Sequence, residues 1–108
     1  MGAGASEGPA GQTVSSEAAD PAWLLDRIGR AVLAVPGVTG LHGGPLGVAA
    51  TYLPGRRVVG IRRREDHVEV HVAVSGSRPV RQVADDVRRA VRALVDQPVH
   101  VTVEDVTI

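Results

Sequence analysis

Cysteine, phenylalanine and lysine are all missing from this sequence, and Trp23 and Tyr52 are its only aromatics besides histidine. Without cysteine there can be no disulfide, no thiolate nucleophile and no thiolate metal ligand. Without large aromatics, a core must be assembled from many small aliphatic side chains instead of a few wide anchors. No apolar run approaches the roughly 20 residues that a membrane-crossing helix needs. The first residues lack both the basic start and the apolar stretch of a signal peptide. A cytoplasmic chain is expected, at most peripheral to the inner face of the cell membrane, with no direct membrane insertion.

What is present is valine, alanine, leucine, glycine and arginine. Hydrophobic residues make up 44% of the 108 residues, which is one domain's worth of chain. Twelve basic residues, every one arginine, balance twelve acidic ones. All-arginine basicity beside abundant Ala, Gly and Val looks like a GC-rich coding bias of the actinobacterial kind, so no special chemistry attaches to it. A net charge of zero also makes bulk nucleic-acid binding a poor expectation, because that needs a positive excess.

Residues 1–20 are rich in Gly, Ala and Ser, carry Glu7, Glu17 and Asp20, and hold no bulky apolar cluster. Such a stretch cannot offset its ordering entropy and reads as a disordered acidic tail. The domain is expected over residues 21–108. Asp20 and Pro21 suit an N-cap and first helical position. Leu24, Leu25, Ile28, Ala31, Val32 and Val35 then recur at helical spacing until Pro36-Gly37. Val38 to His42 reads as a short strand. Leu46–Leu53 and Val58–Arg64 flank Pro54-Gly55, whose residue order suits a type II turn, and so predict a hairpin. His67 to Val74 is the clearest strand: Val68, Val70, Val72 and Val74 share one face, and His67, Glu69, His71 and Ala73 the other. Pro79 opens a second amphipathic helix through Val80, Val83, Val87, Val91 and Val95. Within it Arg81–Asp85 and Asp85–Arg89 are spaced as i,i+4 ion pairs. Val99, Val101 and Val103 begin a last strand after Gln97-Pro98. The pattern predicts an α+β two-layer sandwich: a small, mostly antiparallel sheet with two amphipathic helices, in helix-strands-helix-strand order.

Candidate chemistry is sparse. His67, Glu69 and His71, with His100 on a neighbouring strand, have the residue types of a metal site. However, His67 and His71 lie about 13 Å apart along a strand, too far to share one ion directly. A solvated or partner-facing sheet surface fits them better, and no metal or other cofactor is expected. Arg56, Arg57, Arg62, Arg63 and Arg64 concentrate charge on the hairpin, but RNA readers normally add stacking aromatics and only Tyr52 is near. Gly40-Leu41-His42-Gly43 matches a KH loop by letters, yet it follows a strand instead of joining two helices. Gly43-Gly44 and Gly47 precede no Gly-Lys-Ser/Thr. Ser75 and Ser77 have no cue linking them to a histidine, so no nucleophile–base pair is evident and no enzyme is expected.

Several motifs, in order, resemble the alkaline-shock, or envelope-stress-response, family of Gram-positive general stress proteins. They are Val35-Pro36-Gly37-Val38, Leu53-Pro54-Gly55-Arg56-Arg57-Val58, Val68-Glu69-Val70-His71-Val72, Pro79-Val80-Arg81-Gln82-Val83-Ala84 and the closing Val99-His100-Val101-Thr102-Val103-Glu104-Asp105-Val106. The likeness spans Trp23 to Val106. It implies a non-enzymatic cytoplasmic protein of envelope homeostasis that self-associates and is recruited by a small integral membrane partner. The candidate interaction surface is then Arg56, Arg57, Arg62, Arg63, Arg64, His67, Glu69 and His71. The alternative is a small RNA-binding module using the Arg56–Arg64 hairpin.

Overall fold

The computed structural model describes residues 22–47 and 49–108. The expected acidic tail and the Asp20-Pro21 helix start lie outside them. Element α1 (Ala22–Leu33) is followed by strands β1 (Val38–Leu41), β2 (Ala50–Leu53), β3 (Arg56–Val59), β4 (Ile61–Arg63) and β5 (Val68–Ser75), helix α2 (Val80–Arg92) and strand β6 (Val99–Thr107). A short 3-10 turn, Pro45–Gly47, separates β1 from β2.

Strand β5 is the centre of the main sheet. One of its edges is shared end to end by two antiparallel partners. β4 covers its first half, with Ile61 opposite Val70 and Arg63 opposite Val68, and β1 covers its second half, with Leu41 opposite Val72. At the seam between them His71 uses both backbone groups, donating to the Gly60 carbonyl (2.8 Å) and accepting from the His42 N–H (2.9 Å). The other edge of β5 takes β6 in parallel, from Val68 opposite Val99 to Ser75 opposite Thr107. Antiparallel pairs are the majority, but the longest pairing is parallel, because a helix-length crossover returns the chain in the same direction.

The alternation of β5 has a direct physical result. Val68, Val70, Val72 and Val74 are completely buried under the helices, while the residues between them are half-exposed on the helix-free face. From α1 come Leu25, Ile28 and Val32, and from α2 come Val83, Val87 and Val91, all fully buried. Each such side chain contributes about 1.5–3 kcal/mol by leaving water. The two aromatics take no part: Trp23 is 62% exposed and Tyr52 71%.

Three expectations change in detail. The predicted strand Leu46–Leu53 begins only at Ala50, because Pro45–Gly47 forms a 3-10 turn with Gly47 at a φ of +66°. The predicted strand Val58–Arg64 is broken at Gly60, whose φ of +85° ends β3 and starts β4 in a different sheet. Gly60 donates to the Ala49 carbonyl (2.7 Å), and a Cβ there would stand 2.9 Å from the His71 carbonyl oxygen. Only glycine both adopts that φ readily and lets the backbones come so close. On α2, Arg81–Asp85 and Asp85–Arg89 do not pair. Asp85 binds Arg88 (2.7 Å), and Asp86 binds both Arg89 and Arg78 (2.8 Å to Arg78). The i,i+3 neighbours are equally near on a helix, and Arg78 reaches in from ahead of α2 while also bonding the Pro36 carbonyl.

Candidate interaction surface

The break at Gly60 disperses the arginines that the sequence places together. Arg56, at the tip of the β2–β3 hairpin, bonds both carboxylate oxygens of Asp26 on α1 (3.0 Å each). Arg57 is exposed on β3 opposite Tyr52. Between α1 and this hairpin lies a shallow groove of about 280 Å³, floored by Leu25, Leu41 and Val58 and rimmed by Arg30 and Arg57. Arg62 sits on β4 opposite Glu69 and therefore shares the helix-free face. Arg63, opposite Val68, lies on the helix side and donates to the Gln97 side chain (2.9 Å). Arg64 reaches Glu69 (3.4 Å).

The histidine–glutamate residues do come together. The parallel register sets His100 of β6 opposite Glu69, and its ring stacks on His67 with centroids 4.6 Å apart. His67 lies between two carboxylates, with Nδ1 2.7 Å from Asp66 and Nε2 2.9 Å from Glu69. An imidazolium, which donates from both nitrogens, suits that position. Accordingly the bond to Asp66, then that to Glu69, holds His67 above its ordinary 6.5. Asp66 is held below its ordinary 3.8, chiefly by the His67 bond. For Glu69, burial pushes its pKa up, but the bonds from His67 and Arg64 outweigh this and leave it below 4.5.

The chain of contacts continues along the sheet. Glu69 faces His71 as well, with 3.8 Å between Oε1 and Nε2, and His71 Nδ1 is 2.7 Å from Glu104 on β6. Glu104 then stands over Gly44, where a Cβ would lie 3.0 Å from its carboxylate. One linked band therefore runs from Arg64 through Glu69, His67 and His71 to Glu104.

Sequence reasoning missed Glu104 and Asp66 as members of this band. The signal for Glu104 was its even spacing from His100, which puts both on one strand face; the parallel neighbour needed to complete the band is a long-range feature. In the sequence Gln97 marks only the boundary, with Pro98, ahead of the last strand. It ties the β4–β5 turn to the chain before β6 by donating to the carbonyls of Arg64 (2.8 Å) and Glu65 (2.9 Å). Among the described residues, no group of three or more His, Asp or Glu side chains is arranged to hold a metal ion, and no helix is long and apolar enough to cross a membrane. Chemically, the band offers fixed charges of both signs and, in His67, an imidazole whose protonated form is favoured by the carboxylates of Asp66 and Glu69. Comparison with protein-family models, with curated proteins and with solved structures gives no match.

Proposed function

We propose that this domain is a non-catalytic interaction protein of the envelope-stress type, working by self-association and by docking to a membrane-anchored partner. The observation that carries this reading is the linked band on the helix-free sheet face. Its charges are held in place by one another yet stay partly exposed, as His67 (22%) and Glu69 (26%) illustrate. Charges fixed before binding favour one complementary partner and speed encounter, at little ordering cost on association. The ordered motifs from Val35-Pro36-Gly37-Val38 to the closing valine strand support the family component of the proposal.

The RNA-binding alternative is weaker on the same geometry. It needs Arg56 to Arg64 on one basic surface, and Arg56, Arg63 and Arg64 instead engage Asp26, Gln97 and Glu69.

The test is affinity purification of the full chain from a detergent-solubilised membrane fraction of its own cells, beside a His67→Ala/Glu69→Ala variant. Recovery of one integral membrane protein with the parent and not with the variant is expected. Equal recovery with both, or none with either, would overturn the docking half of the proposal.

A further inference from the structure

Strand β6 borders the main sheet, and among the described residues its only strand partner is β5. In a parallel ladder, successive residues turn their backbone N–H and C=O alternately toward one side and the other. The Pro98 carbonyl accepts from Val68 and the Thr107 carbonyl from Gly76, so these residues address β5. Counting from Pro98 up to the register shift at Glu104, Val99, Val101 and Val103 address the free edge. The Val99 carbonyl is already taken by Arg88 (3.3 Å). Val101 and Val103 are left with donors and acceptors pointing outward, on a strand that contains neither Lys, Arg nor Pro to guard it.

We propose that this edge is a self-complementary docking site for a second copy of the chain, which pairs β6 with β6 antiparallel about a two-fold axis at Thr102. The inference rests on the self-association reading above and names the surface and register it would use. Outward residues must oppose outward residues, which restricts the axis to registers that pair odd with odd positions. Of the central registers of this kind, only the one about Thr102 also matches charge. It sets Val101 opposite Val103 as hydrogen-bonded pairs and Thr102 opposite its own copy. His100 lies opposite Glu104 twice over, in the non-hydrogen-bonded positions where side chains stand closest. His100 and Glu104 share the helix-free face, while Val101 and Val103 lie against the core side, so polar meets polar and apolar meets apolar. The bulge at Glu104 and the Arg88 contact at Val99 limit the pairing to residues 100–104. Each copy uses this edge once, so the product is a closed dimer and not a fibre.

Sedimentation velocity of the full 108-residue chain, with far-UV circular dichroism to confirm folding, tests this. The parent is expected to dimerise reversibly with concentration. Glu104→Lys, which sets Lys against His100, should weaken dimerisation roughly tenfold or more. The double exchange His100→Glu/Glu104→Lys should restore it. Val103→Pro removes an outward N–H and none that bonds β5, so it should leave a folded monomer. Parental dimerisation by Glu104→Lys or Val103→Pro, or failure of the double exchange to rescue, would overturn this edge and register while leaving association by another surface intact. A parent that stays monomeric would overturn both this edge and the self-association half of the proposed function; the membrane-partner half stands or falls on its own purification.

Discussion

The β5–α2–β6 unit and the β2–β3 hairpin are built from similar residues and are held in opposite ways. In the first, every inward valine of β5 and the α2 valines Val83, Val87 and Val91 are completely buried. In the second, Ala50 is buried, Leu53 and Val58 are half-buried, and Tyr52 projects into solvent. The hairpin is attached instead by polar contacts: Thr51 Oγ1 donating to the Ile61 carbonyl (2.5 Å), the Gly60–Ala49 bond and the Arg56–Asp26 pair. Valine alone does not make a rigid region; it must meet a second layer. A unit held by buried area opens only with the whole fold, whereas one held by a few polar contacts can open alone.

The sharpest way to break the contrast is to damage each side in its own currency. Val72→Asp would place an unpaired carboxylate in the fully buried ladder and should cost about 4 kcal/mol or more, leaving little folded protein by far-UV circular dichroism. Gly60→Ala should cost about 1–3 kcal/mol from its left-handed φ, with a further penalty from the close backbone of His71. Its signature is regional: amide exchange should rise first in Ala50–Val59 and only later in Val68–Ser75. Asp26→Ala should cost about 0.2–1 kcal/mol, since both partners of the pair are over 40% exposed. Faster exchange confined to the hairpin is expected; equal acceleration in β5 would erase the distinction between the regions.

The smallest effect concerns pH and the helix-free face. His67 is raised, so its contribution is complete below 6.5 and is lost as pH rises through its folded value. Asp66 and Glu69 are lowered, so theirs is complete above 3.8 and 4.5 and is lost as pH falls through their folded values. The three coincide between 4.5 and 6.5. The melting-temperature difference between the parent and His67→Gln should peak in that window and shrink above it. A difference that grows toward alkaline pH would contradict the contacts described.

Strand β5 was legible because period-two alternation and one-sided burial are the same fact read in sequence and in space. Both helices were legible for the corresponding reason at period 3.6. The split at Gly60 was not, because Val58-Val59-Gly60-Ile61 reads as one apolar run and only the approach of His71 and His42 makes the break. Of the candidate surface, His67, Glu69 and His71 were placed together correctly by alternation. The five arginines were grouped by adjacency in the chain, which carries no information once the strand changes sheets. Asp26 and Glu104, distant in sequence, could enter only through tertiary pairing.

The exposed positions of Trp23 and Tyr52 also decide how this protein can be watched. Its interior contains no chromophore, so indole emission and near-ultraviolet dichroism should change little when the valine layers separate. The same placement turns Trp23 into an optical sensor on the outer side of α1. A shift in its emission maximum would then report a second molecule settling against that helix, with scant interference from the state of the core.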